Sequence, residues 1–211
     1  MPIKGLLDQC FAESELKEFQ RGDLIYRQGE HPHSLFLLEE GLVGLLRYSV
    51  KGQEHLLRLF QAGQVLGHRS IIADEEYHAT ARCIEPCKLR VIPRQRFEGC
   101  IGQHPEASQF MMRSLARDLR RAEVRSIVVT DSEVLARVAA TLLYFKGLNP
   151  EHHWTRTEIA NYCASRTPTV IKALGELEKR GLIEQKGREI NILSQEGLCS
   201  LTDESEIAST L

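Results

Sequence analysis

Between Gly22 and Pro93 the apolar residues come in short runs separated by turn residues: "DLIYRQG", "SLFLLEEG", "LVGLLRYSVKG", "EHLLRLFQAG", "QVLG", "ATARC" and "KLRVIP". Each run is too short for a helix, and together they predict a set of strands. Gly29, Gly41, Gly52 and Gly63 recur at intervals of 12, 11 and 11 residues, where antiparallel hairpins need residues that tolerate positive φ. That spacing predicts an antiparallel β-roll of jelly-roll or cupin-like shape.

The pattern changes after Pro93. From Ser108 to Lys146 there is no proline or glycine, which predicts a long helix. Met112, Leu115, Leu119, Ala122, Ser126 and Val129 alternate steps of three and four, the seam of a coiled coil between two copies; a helix packed on its own domain is the alternative. Within "TDSEVLARV", Asp131 or Ser132 is expected to cap a second helix at a hinge. "KGLNPEHHW" then leads into a third region. The expected class is α+β, with a β-roll sensor over residues 1–107, a dimerisation helix and hinge over 108–147, and a further domain over 148–211.

In that last region "RTEIANYCASRTPTVIKALGELEKRGLI" places Ile159, Ala160, Cys163, Val170 and Ala173 where two helices crossing at a tight turn need apolar or small residues. This predicts a helix-turn-helix. Thr167 as N-cap with Pro168 at the first helical position suits the start of the second helix. Ala164 stands where such a turn usually has glycine, so either the turn avoids positive φ or it carries strain of roughly 1 kcal/mol. "LIEQKGREINIL" predicts a small hairpin wing turning at Lys186 and Gly187. Candidate DNA contacts are Thr155, Thr157, Ser165, Arg166, Thr167, Thr169 and Lys172, with Lys186 and Arg188 of the wing reaching phosphate.

Charge enters here because the 211-residue chain has a net charge of -2 and no global attraction to nucleic acid. The attraction has to be local. Residues 155–188 hold seven Lys and Arg against four Glu, whereas 189–211 hold five acids and no base. No apolar run reaches the roughly 18 residues of a membrane span, and the N-terminus lacks a secretory core, which points to the cytoplasm and away from the membrane. Six cysteines (Cys10, Cys83, Cys87, Cys100, Cys163, Cys199) are scattered through the chain, mostly as expected reduced core residues. No catalytic constellation or metal-spaced His and Cys cluster is present, so an enzyme is not expected.

Taken together, "FQRGDLIYRQGEHPHSLFLLEEGLVGLLRYSVKGQEHLLRLFQAGQVLG", "LARVAATLL" and the helix-turn-helix string resemble the Crp-Fnr superfamily of bacterial regulators along nearly the whole chain. The resemblance implies a homodimer that binds double-stranded DNA at a palindromic site and recruits or blocks RNA polymerase. It also locates an effector pocket at Gly67, His68, Arg69, Ser70, His78, Ala79 and Thr80. Here the chain departs from the family. Cyclic-nucleotide members place Glu after the glycine and Arg-Ser further on, but His68 and His78-Ala79 stand there. Ala122 and Glu123 replace the hydroxyl pair that reads adenine. These substitutions argue against cAMP and leave another nucleotide, or haem through His68 or His78, open. A single Cys10 near the N-terminus argues against an iron-sulfur cluster. Cys83 and Cys87, in "CIEPC", offer a redox pair or simply two core residues. Thr167-Pro168-Thr169-Val170-Ile171-Lys172 replaces the Arg-Glu-x-x-x-Arg recognition signature, so the target is expected to differ from a TGTGA-type half-site. An allosteric signal at the roll and a vestigial pocket without effector are both readings of that degenerate site.

Overall fold

The computed structural model describes residues 14–202, which divide into two compact units meeting between Arg117 and Asp118. The first unit is an antiparallel β-roll. Its strands are β1 (Glu15–Phe19), β2 (Leu24–Tyr26), β3 (Ser34–Glu40), β4 (Val43–Tyr48), β5 (Glu54–Phe60), β6 (Val65–Leu66), β7 (Thr80–Cys83) and β8 (Cys87–Pro93). They form two four-stranded sheets, ordered β1-β8-β3-β6 and β2-β7-β4-β5. Gly29, Gly41, Gly52 and Gly63 all adopt positive φ at the turns, as their spacing predicts. Between the sheets lies an apolar interior that includes Tyr26, Phe36, Leu38, Leu45, Leu66 and Leu89.

Strand β3 is buried on both faces. Phe36 and Leu38 point into the roll, while Leu35 and Leu37 join a second cluster with Val65, Ile92 and three helices. These helices are α1 (His68–Ala73), α2 (Arg94–Gln103) and the start of α3 (Pro105–Asp131), which contribute Ile71, Phe97 and Met111. The unit therefore extends past the boundary expected at residue 107, because Ala107 and Met111 are buried. Cys83 and Cys87 are both buried and free, at the two ends of the turn joining β7 to β8. Cys163 and Cys199 are free as well, whereas Cys100 on α2 is disulfide-bonded, and Cys10 lies outside the described residues.

The second unit holds the rest of α3, then α4 (Val134–Leu148), α5 (Arg156–Tyr162), α6 (Thr167–Lys179), the hairpin β9 (Ile183–Lys186) and β10 (Glu189–Ile192), and α7 (Gln195–Cys199). The long helix breaks where a hinge was expected, but the cap is Glu133, not Asp131 or Ser132, and no side chain caps it. Asp131 is still helical. Arg137 supports the break by donating from Nη1 to the Val129 carbonyl at 2.7 Å, one of the acceptors that a helix end leaves open. Helix α4 belongs to this unit rather than to a separate connector. Its Val138, Ala139, Leu142 and Phe145 are fully buried, and Phe145 stacks on Trp154 with ring centres 3.9 Å apart.

Ile159, Ala160, Cys163, Val170 and Ala173 are all buried, at the crossing of α5 and α6. The turn between them closes by the Ser165 N–H donating to the Ala160 carbonyl at 3.0 Å, with Ala164 at φ +52°. This is the helix-end motif in which glycine is usual. Replacing Ala164 with Gly is expected to stabilise this unit by about 1 kcal/mol, since relief of left-handed strain outweighs the added freedom of the unfolded chain. Thermal unfolding checks it; a lower melting temperature would show that the turn is not strained.

Candidate nucleic-acid interface and the roll pocket

The second helix of the motif begins one residue earlier than expected. Arg166 is the extended N-cap, Thr167 is the first helical residue, and Pro168 is second. Nothing is lost by this shift, because the first N–H groups of a helix have no intrahelical acceptor in any case. Val170, Ala173, Leu174 and Leu177 bury one face of α6. Arg166, Thr169 and Lys172, at steps of three, lie exposed on the other, with Thr167 half-buried beside them. Ile171 is 54% exposed on that side, a large apolar group out of phase with the buried positions. That phase error was the one available signal for it in the sequence.

At the start of α5, Thr155 forms a capping box. Its hydroxyl accepts from the Glu158 N–H at 3.1 Å, and the Glu158 carboxylate accepts from the Thr155 N–H at 2.8 Å. The hydroxyl of Thr155 is thus engaged within the helix start, while Thr157 is exposed one step on. Burial alone would raise the Glu158 carboxyl, but the His152 imidazole 3.9 Å away and the hydrogen bonds with Thr155 outweigh it and hold the group below its ordinary value. The wing turns through Gly187 at φ +62°, with Lys186 opposite Glu189, a two-residue turn with glycine first. Lys186 and Arg188 are exposed at its tip; Lys186 also pairs with Glu184 at 3.0 Å, an exposed contact that contributes little.

The residues expected to form an effector pocket do not all converge. Gly67 has φ +87°, and a Cβ there would lie 3.1 Å from the Ser34 carbonyl oxygen, so backbone conformation and the close approach of β3 both favour glycine without reference to a ligand. His68 is 3% exposed and Ala79 is wholly buried in the roll interior. Ser70 donates to the Glu76 carbonyl at 3.1 Å. His78 is half-buried, and burial together with the nearby Arg69 and Arg47 guanidiniums lowers its pKa, so it is neutral at pH 7. Thr80 accepts from the Gln28 N–H at 3.0 Å. It faces a separate groove of about 460 Å³ lined by Leu24, Arg27, Leu46, Tyr48 and Arg82, and none of the other six expected residues line it. Strand alternation explains the split: Ala79 and Ala81 point inward, so Thr80 and Arg82 point outward. A cyclic nucleotide needs a carboxylate for its ribose and a cation for its phosphate, and His68 and His78 supply neither.

The hydrogen bond between Cys83 and Cys87, with burial, pushes the Cys83 thiol up, so it stays protonated at neutral pH. The single S–H of Cys87 is shared between the Leu42 and Glu85 carbonyls, 3.4 and 3.1 Å from Sγ.

A β-roll joined to a winged helix-turn-helix with an exposed basic face defines a DNA-binding regulator rather than an enzyme. Models of a cyclic nucleotide-binding domain and a Crp-like helix-turn-helix domain match residues 16–104 and 136–201. The chain belongs to the Crp-Fnr family of transcription regulators. It is 28% identical over 190 residues to a CRP-like cAMP-activated global transcriptional regulator of Mycobacterium tuberculosis, covering 86% of this chain and 85% of that one. FixK2 from Bradyrhizobium japonicum has the same fold, with a TM-score of 0.80 at 20% identity over 91% of this chain and 98% of its own. A CRP-family regulator from Thermus thermophilus gives 0.77 at 25% identity, over 90% and 98%. Among the described residues no helix is long and apolar enough to cross a membrane.

Proposed function

We propose that the chain acts as a homodimer in the cytoplasm, binding a palindromic operator through two copies of α6 and controlling access of RNA polymerase. The observation that carries this reading is α6 itself, with one face buried in the unit and Arg166, Thr169, Ile171 and Lys172 exposed on the other. Thr157, Ser165 and Thr167 border that face, and Lys186 and Arg188 of the wing reach phosphate beside it. Ile171 suits the methyl group of thymine, and Lys172 a guanine edge or a phosphate.

Dimerisation rests on α3, where Met112 and Leu119 are 60% and 61% exposed in the single chain. Ala122 and Ser126 are exposed further along the helix, and Leu115 and Val129 are half-buried. The signal enters at the roll through the neighbourhood of Arg69 and His78, and it is not cAMP.

The test is operator selection from a random duplex library, followed by affinity at fixed salt. Lys172→Ala is expected to weaken the selected site about ten-fold, since a good base contact is worth 1–3 kcal/mol, and to leave the dimer intact. Added cAMP is expected to leave affinity unchanged. Equal affinity of variant and parent would remove Lys172 from the interface, and a cAMP-dependent gain would overturn the reading of the pocket.

A further inference from the structure

Arg156 is the first residue of α5, where a cation opposes the helix dipole and costs a few tenths of a kcal/mol. Its guanidinium reaches across to the wing. Nη1 donates to the Arg188 carbonyl at 2.8 Å, and Nη2 donates to the Gly187 carbonyl at 3.0 Å and to Oε1 of Gln185 at 2.9 Å. Gln185 is held in turn from the recognition helix, its N–H and side-chain amide donating to the two oxygens of Glu178 at 2.7 and 3.0 Å. The wing is therefore tied to both helices of the motif, to α5 by Arg156 and to α6 by Glu178. The capping box of Thr155 and Glu158 fixes the helix start from which Arg156 extends.

We infer that Arg156 is a positioning residue for DNA recognition, setting the wing against the recognition helix without itself needing to touch DNA. Two features support this. The two acceptors of the wing turn are carbonyl oxygens, which would repel a phosphate; a guanidinium that satisfies both offsets that repulsion beside the exposed Lys186 and Arg188. The planar fork of arginine spans three acceptors at once, which a lysine ammonium on a flexible stem does not reproduce.

The inference rests on the wing being a DNA contact, and a double-mutant cycle separates the two claims. Affinity for the selected operator is measured by fluorescence anisotropy for the full chain, for Arg156→Ala, for the wing variant Lys186→Ala/Arg188→Ala, and for the triple variant. Arg156→Ala is expected to weaken binding about ten-fold in the parent but less than two-fold on the wing variant, because its effect passes through the wing. Arg156→Lys is expected not to restore affinity, and the melting temperature, measured in parallel, confirms that each variant is folded at the assay temperature. Unchanged affinity of folded Arg156→Ala overturns the proposal, as does a loss that multiplies fully with that of the wing variant, which would mark Arg156 as an independent phosphate contact. A wing variant that binds as tightly as the parent overturns instead the reading of the wing as a contact.

Discussion

Gly41→Ala is expected to destabilise the roll by about 3 to 4 kcal/mol, roughly two to three times the effect of the same change at Gly52. Both glycines sit in hairpin turns at positive φ, +94° and +73°, so both variants carry the left-handed penalty of about 1 to 2 kcal/mol. They differ in what a methyl group would meet. At Gly52 nothing lies within 4 Å. At Gly41 the Cβ would fall on the Pro86 carbonyl oxygen, 2.8 Å from Cys87 Sγ and 3.0 Å from its Cα. Two of these three obstacles are backbone, which no rotamer change can remove, and forced overpacking costs a further 1–3 kcal/mol. The same contact explains the hydrogen bonding beside it. The β3-β4 turn lies on the β7-β8 turn, where the Leu42 carbonyl accepts from the Ile84 N–H at 2.8 Å. Urea unfolding of the two variants checks this, and equal losses would show that backbone conformation alone, and not the close approach of the turns, sets the cost.

This pair also shows what a sequence can and cannot disclose. The regular spacing of the glycines marked the turns, because positive φ is a local demand. It could not distinguish Gly41 from Gly52, because the obstacle at Gly41 comes from residues more than forty positions away. Strand β1 escaped the hydrophobic pattern for a related reason. "ELKEF" is exposed at four of its five positions and, among the described residues, pairs only with β8 at the sheet edge, where charged residues guard against further pairing. Helix α2 was hidden by Gly99 and Gly102 within it. In the second unit the helix-turn-helix was legible because its core positions are close in sequence and fixed by one crossing. Arg156 was not, since its partners lie some thirty residues away in the wing. The roll pocket was least legible: a family pattern placed Thr80 with Ala79, while strand alternation turns the two to opposite faces.

Leu119→Arg is expected to convert the proposed dimer to a monomer and to lower affinity for a palindromic operator by on the order of 100-fold, the gain that joining two binding modules typically brings. Leu119 is 61% exposed in the single chain, so its replacement removes little from the protein's own core. In a two-fold seam the new guanidinium would face its own copy, with Arg113, Arg117, Arg120 and Arg121 already exposed around it. Like charges in a partly desolvated seam oppose association, and the lost leucines take their packing with them. The recognition helix is untouched by the change, so affinity for a single half-site should match that of the parent. Sedimentation fixes the oligomeric state, and titrations with half-site and full-site duplexes separate the two effects. A variant that remains dimeric and binds the palindrome as tightly as the parent would place the interface elsewhere on the chain. A monomer with unchanged full-site affinity would show that each helix-turn-helix binds independently, and the palindrome would then have no structural counterpart in α3.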